Sequence, residues 1–297
     1  MSVTIPETAE PVTPPLLGPD DPAPYEVVNP QGQAKCLLIC DHAANRVPAK
    51  LSGLGLSGPE LESHIAWDIG VADVTRYLAE ILDAPAILAN YSRLVIDVNR
   101  RIEHPTAIVA SCEGKAIPGN ASLPEQNRNL RIAEIYDPYH ARVDELLAGF
   151  TARGIIPAVL SIHSFTPVFY KQVRPWEIGV LWVQDGRMAA PMIGYFRKKG
   201  FTTGDNEPYD GRLLRGTTLN RHADAHGLPN ALVEIRNDLL ETDDGRREWA
   251  GLLGQCCQEI MRDDGLFSRY DGPQAAHDPE KEYTYFDELI EKAKRGE

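Results

Sequence analysis

The sequence is short of positive charge: among 297 residues, 30 are Lys or Arg against 43 Asp or Glu, a formal charge of −13. That balance opposes nucleic acid and anionic membrane as partners, because affinity for either rests on neutralising phosphates with Lys and Arg. Long apolar runs are missing too. No stretch approaches the roughly 20 residues that a membrane-spanning helix needs, and Met1–Glu10 has neither the basic start nor the apolar core of a signal peptide. The expectation is a cytoplasmic protein. Cysteine is sparse and odd in number (Cys36, Cys40, Cys112, Cys256 and Cys257) and forms no CxxC pair, which points to buried reduced thiols rather than a disulfide framework or a thiolate zinc site. Walker and dinucleotide glycine patterns are absent, and so is the Gly-x-Ser-x-Gly elbow of many serine hydrolases.

What is there suggests one large α/β domain with ragged ends. Residues 1–33 carry Pro6, Pro11, Pro14, Pro15, Pro19, Pro22, Pro24 and Pro30 with few bulky apolar side chains, and are expected to form an arm without regular ladders. The folded main domain is expected over 34–268, and an acidic tail over 269–297 with one amphipathic helix within Tyr283–Lys294. Buried-type strands are predicted at Cys36–Cys40, Ala86–Ala89, Leu94–Val98, Ala158–Ile162, Ile178–Val183 and Ala231–Ile235. Helical spacing runs from Ser57 to Ile81, over Pro124–Phe150 with a bend near Pro138, over Pro191–Lys199 and around Asp244–Met261. Alternating strands and helices imply a mostly parallel, mixed sheet sandwiched by helices, with reactive groups beyond the carboxyl ends of the strands.

Four polar clusters fall at or beside those ends: Asp41-His42-Ala43-Ala44-Asn45, Asp97-Val98-Asn99-Arg100-Arg101, Ser161-Ile162-His163-Ser164 and Val233-Glu234-Ile235-Arg236-Asn237-Asp238. A parallel sheet would gather them on one edge. His42 and His163 are of the right type for zinc or another divalent ion, whose protein ligands are imidazoles, thiolates and carboxylates. Asn45, three residues beyond His42, and Asp68 are rivals for the third ligand position. Glu234 lies in an otherwise apolar strand, where an unpaired carboxylate is costly. A place beside a metal-polarised water, whose proton it could accept, would explain it. Arg93, Arg100 and Arg101 form a dense positive locus suited to gripping a carboxylate or a developing oxyanion. His64 and Asp68, four apart on a predicted helix, could share a face as a metal or hydrogen-bonded pair. His222 and His226 could form a second metal pair but lack a third ligand, and the 206–211 loop could touch substrate.

Taken together, the motifs resemble a known family. His42-x-x-Asn45, Asp97-Val98-Asn99-Arg100, Ser161-Ile162-His163 and Val233-Glu234-Ile235 occur in the order found in the zinc carboxypeptidase and aspartoacylase fold. Cys40–Pro48, His64–Gly70 and Ser161–Phe165 look more specifically like the N-formylglutamate amidohydrolase family, over about Ala34 to Met261. The resemblance implies a zinc-carboxypeptidase-like fold with His42 and His163 as metal ligands and Asn45 standing where a Glu is usual. It implies Asn99 and Arg100 as the grip on the substrate carboxylate, Arg93 as the oxyanion-stabilising group and Glu234 as the general base. The activity it implies is metal-assisted hydrolysis of a small N-acyl amino acid. Competing readings are a zinc peptidase or amidase acting on peptide or cell-wall fragments, and a non-catalytic carboxylate-binding protein of the same fold. Oligomeric state is not legible in the sequence.

Overall fold

The computed structural model describes residues 13–276 and 278–295. Pro6 and Pro11 of the expected arm lie outside the described residues. Seven strands make one sheet: β1 Tyr25–Val28, β2 Cys36–Cys40, β3 Ala86–Ala89, β4 Ala158–Phe165, β5 Ile178–Leu181, β6 Thr203–Asp205 and β7 Asn230–Arg236. Their spatial order is β1-β3-β2-β4-β7-β5-β6. The central run β3-β2-β4-β7 is parallel, β1 pairs antiparallel with β3, and β5 pairs antiparallel with β7. The expected mostly parallel, mixed α/β sheet is present.

Because strand side chains alternate, each face has its own core. On one face Cys36, Leu38, Cys40, Leu160, Ile162, Val233 and Ile235 pack under three helices: α1 Val71–Leu82, α3 Gly186–Lys198 and α4 Asp243–Ile260. On the other, Leu37, Ile39, Val159 and Leu232 meet α2 Asp137–Ala152 and an irregular segment spanning 91–136. Immediately before Pro138 the chain makes a π turn over Ile132–Tyr136, with the Asp137 N–H reaching back to the Ile132 carbonyl. Proline cannot donate the next bond of an α-helical ladder, so the predicted bend takes this form. No helix among the described residues is long and apolar enough to cross a membrane.

Three sequence expectations need correction. The proline-rich arm is not free of the sheet: Tyr25–Val28 pairs with Ala86–Ala89, the Tyr91 hydroxyl donates to the Pro22 carbonyl at 2.6 Å, and Leu16 is fully buried. An edge strand tolerates flanking prolines because only one side of it needs a ladder. Leu94–Val98 is buried but is no strand. Its carbonyls are taken by side chains, Leu94 by the Asn120 amide and Val95 by the buried Arg131 guanidinium, both at 2.8 Å, which satisfies the backbone as a ladder would. The long helix expected from Ser57 to Ile81 is broken into Gly58–Leu61 and α1, with Gly70 between them at φ +84°, where a Cβ would lie 2.5 Å from Leu240. That left-handed residue is inaccessible to a helix and frees 62–69 to run toward the sheet edge. The chain also adds β6, which the sequence reading missed.

Beside α2 lies a buried imidazole pair: His140 Nδ1 and His222 Nε2 are 2.8 Å apart, and His222 Nδ1 meets Asp144 at 2.8 Å. Burial, the neighbouring imidazole and Arg221 push His140 down to about 3, against a weaker upward pull from Asp41. His222 is also lowered, chiefly by burial. A histidine depressed in the folded state binds fewer protons than the unfolded chain once pH falls below the ordinary value of ~6.5, so stability drops as pH falls through that value. Urea denaturation of the parent and of His140→Gln, compared at pH 7 and pH 5, should show the parent losing about 1–2 kcal/mol more than the variant over that interval.

Candidate active site

The second core face turns polar at the carboxyl ends of its strands. Along β4 the same-face row runs Val159, Ser161, His163, and along β7 it runs Leu232, Glu234. Glu234 is the register partner of His163 on the parallel neighbour, so the two side chains emerge side by side. Asp41 and His42 follow β2 directly. The segment freed by Gly70 delivers Asp68, held by its N–H to the His42 carbonyl at 3.0 Å and flanked by the bond from the Ser164 hydroxyl to the Ile69 carbonyl at 3.2 Å.

These elements bring His42, Asp68 and His163 into one buried group, the one cluster of potential metal-ligating His, Cys, Asp and Glu side chains among the described residues. The imidazole centroids are 4.9 Å apart in an edge arrangement. His163 Nδ1 is 2.7 Å from Asp68 Oδ2, and His42 Nδ1 approaches the same oxygen at 3.4 Å without hydrogen-bond geometry. The far nitrogen of each ring meets a different carboxylate: His42 Nε2 lies 2.7 Å from Asp97 Oδ1, and His163 Nε2 lies 3.2 Å from Asp41 Oδ2. Carboxylates behind the rings hold their orientation and leave both Nδ1 atoms turned toward Asp68, where a bound cation would take the place of the proton that His163 Nδ1 donates to it. The unpartnered, buried His42 Nδ1 and the His–Asp–His donor set therefore fit a divalent cation such as zinc.

Charge explains how these groups stay buried. Asp41 accepts from the Tyr139 hydroxyl at 2.9 Å and the Thr218 hydroxyl at 2.6 Å. Arg93 spans the other two carboxylates, 3.2 Å from Asp68 and 3.3 Å from Asp97. Burial would raise all three acids, but the imidazoles, with Arg93 and Arg100 acting on Asp97, hold them below the ordinary carboxylate range. Burial would likewise lower His163, yet its bonds to Asp41 and Asp68 hold it up at about 10. The cluster thus demands positive charge. Glu234 behaves oppositely: burial pushes it up to about 7, with Asp68 adding to the effect and His163, Arg93 and Arg174 opposing it. Its Oε2 is buried and has no hydrogen-bond partner.

Not every candidate joins the cluster. Asn45 does not: its amide nitrogen donates to the Leu61 carbonyl at 3.0 Å, and it lines a separate surface hollow with Asn90 and Arg76. The amide finds a backbone partner in the broken 57–69 segment. His64 does not pair with Asp68, because no helix joins them; it meets Glu113 at 2.9 Å. His222 belongs to the pair with His140, and not with His226. Arg101 parts from Arg93 and Arg100 and reaches Glu282 at 2.7 Å. Asn99 and Arg100 do line the site. The Asn99 side-chain Oδ1 accepts from the Thr218 N–H at 2.9 Å, and the buried Arg100 guanidinium, lowered by burial, donates to the Asn99 backbone carbonyl at 2.8 Å.

Space adjoins the cluster on two sides. An inner chamber of about 90 Å³ is lined by His42, Asp68, His163, Glu234, Asn99 and Arg100, with Leu181, Trp182 and Leu232 among its apolar walls. An outer cleft of about 520 Å³ shares Asp68, Arg93, Arg100, Ser164 and Tyr209 with it. Tyr209 comes from the 206–211 loop singled out in the sequence. That loop crosses β5 and β6 at two glycines: a Cβ on Gly179 would fall 1.9 Å, and one on Gly204 2.6 Å, from the Glu207 carbonyl oxygen. Asp41, Asp97, Thr218 and Tyr139 are functional neighbours to which the sequence reading gave no role. The two aspartates lie within the polar clusters at the strand ends, whereas Thr218 and Tyr139 carry no local signal because helices elsewhere in the chain bring them in.

A mixed α/β sheet with a buried imidazole and carboxylate cluster at its carboxyl edge is the framework of a hydrolase site. Residues 34–241 match the N-formylglutamate amidohydrolase family, so the chain belongs to that family and is an amidohydrolase by descent. Among solved structures, a gene product of Agrobacterium tumefaciens is similar at 36% identity and a TM-score of 0.80, over 83% of this chain and 98% of that one. The N-formylglutamate amidohydrolase of Ralstonia eutropha is similar in fold at 20% identity and a TM-score of 0.64, over 81% and 97%. No curated protein matches.

Replacing Arg93 by Ala removes the cation that bridges Asp68 and Asp97. Its urea midpoint at neutral pH should fall by an amount equivalent to about 1.5–3 kcal/mol, the worth of hydrogen bonds to charged groups.

Proposed function

We propose that the chain is a metal-dependent amidohydrolase that cleaves the amide bond of a small N-acyl amino acid, N-formylglutamate or a near relative. The observation that carries this reading is the pairing of His42 and His163 with one shared carboxylate in front and one private carboxylate behind each ring. His42, Asp68 and His163 would hold the ion. When bound, a divalent cation there supplies Lewis acidity, lowering the pKa of a water to near ~7 and polarising an acyl oxygen.

The remaining chemistry belongs to the protein. Glu234, desolvated and with an affinity for protons near neutrality, takes the proton of the attacking water at its unpartnered Oε2 and returns it to the departing amine nitrogen. Arg93 faces both chambers and offers positive charge to the oxygen that becomes negative as the carbonyl is attacked. Arg100 and Asn99 hold the substrate carboxylate, which turns binding energy into orientation at the reacting carbon. Asp41 and Asp97 are positioning residues acting through the imidazoles. The inner chamber excludes all but small groups, in keeping with a single amino acid. The formal charge of −13 disfavours nucleic acid as a partner, and the cytoplasm remains the proposed compartment.

Elemental analysis of purified protein, paired with formyl, acetyl and longer acyl derivatives of Glu and Asp, tests the reading. One equivalent of zinc or a similar ion and turnover of at least one derivative are expected. Metal content below about a tenth of an equivalent after zinc is supplied would leave a carboxylate-binding protein instead. Glu234→Gln should retain the metal and lose about 10²–10⁴-fold in kcat. Asp97→Asn should weaken metal affinity by about 10–100-fold, read by competition with a chelating dye.

A further inference from the structure

The C-terminal helix, α5 Pro279–Arg295, lies outside the segment that matches the family, and nothing in the proposed chemistry uses it. It is nevertheless tied down at several points around the outer cleft. Glu282, almost wholly buried, pairs with Arg101 at 2.7 Å, one residue beyond the substrate-facing Arg100. Tyr283 stacks on His104 with centroids 5.1 Å apart. The Tyr285 hydroxyl accepts the Asp210 N–H at 2.8 Å, beside Tyr209 of the loop shared by both chambers. At its far end Lys294 sits over the Tyr170 ring, at the tip of a hairpin formed by Val168–Phe169 and Gln172–Val173. Asp287, Ile290 and Glu291 between these anchors, together with Lys294, line the same cleft as Arg93 and Arg100.

A helix pinned to the 101–104 segment at one end and to the 168–173 hairpin at the other forms part of the lining of the outer cleft. We infer that α5 is the outer wall of the active site and a specificity-determining element: it stops the substrate from continuing beyond one amino acid, so the site takes single N-acyl amino acids and refuses N-acyl peptides. This rests on the amidohydrolase reading for its substrate class, although the covering role of the helix does not. A helix that adds no strand to the sheet can open without disturbing its ladders, because local openings require only the free energy of the contacts they break.

Cys112 provides a probe. It lines the cleft and is half-buried, whereas the other four cysteines are fully buried. In the zinc-loaded 297-residue chain, a double variant Glu282→Ala/Tyr285→Phe removes two anchors, and Ile290→Trp fills the cleft instead. Alkylation of Cys112 by a bulky maleimide should accelerate roughly tenfold in the double variant and slow in Ile290→Trp. The ratio of kcat/KM for an N-formyl dipeptide over N-formylglutamate should rise roughly tenfold in the first and fall in the second, with an unchanged urea midpoint for the sheet core. An unchanged Cys112 rate in both variants overturns the inference, and so does faster labelling with a flat ratio. If the parent hydrolyses no N-acyl amino acid, the hydrolase reading falls by itself. Selection is then read as protection of Cys112 by each compound, and protection by the dipeptide equal to that by N-formylglutamate overturns the inference.

Discussion

Three carboxylates, Asp41, Asp68 and Asp97, are packed out of water within reach of one another, and the organisation of the site follows from how their charge is met. Isolated, each would be prohibitively costly to bury. The structure answers with two imidazoles threaded between them and a guanidinium laid across two of them. Each imidazole then has its Nε2 on a carboxylate behind it and its Nδ1 turned inward toward Asp68. A donor set able to hold a cation emerges here as the solution to an electrostatic problem, and hydroxyls from Tyr139 and Thr218 add to it by donating to Asp41. Glu234 is the exception that makes the site asymmetric: it is equally buried, but nothing donates to its Oε2.

The sheet supplies what loops could not. Adjacent parallel strands hold His163 and Glu234 in register, so their separation is set by interstrand spacing rather than by side-chain flexibility. The apolar rows below them, Val159 on one strand and Leu232 on the other, anchor the same face in the second core. Chemistry and packing are thus successive positions along one period-2 row, and the transition from Val to Ser to His marks where the core ends and the site begins.

Much of this was legible in the sequence, and the limits have physical causes. Strands buried on both faces announce themselves as apolar runs ending in polar groups, which located His42, His163 and Glu234. The local pattern failed where distant side chains supplied what the backbone needed: Leu94–Val98 reads as a strand but has its carbonyls capped by Asn120 and Arg131. The third partner of the imidazoles was left open between Asn45 and Asp68 because spacing along the chain says nothing about a left-handed glycine at 70, and that glycine redirects the segment. Tyr25–Val28 was obscured by its prolines, since edge strands need fewer donors than central ones. Tyr139 and Thr218 were out of reach because no local periodicity encodes which helix end will meet Asp41.

The reversal of β5 beside β7 has a consequence for how such a protein can diversify. Because β5 starts at the edge where β4 stops, residues 166–177 connect them without leaving that edge, and the hairpin bearing Phe169 and Tyr170 hangs beside the cleft. Insertions or deletions in this bridge would resculpt the entrance while every ladder of the sheet kept its register. The architecture therefore separates an interior bound by the sheet's ladders from a rim that those ladders do not constrain.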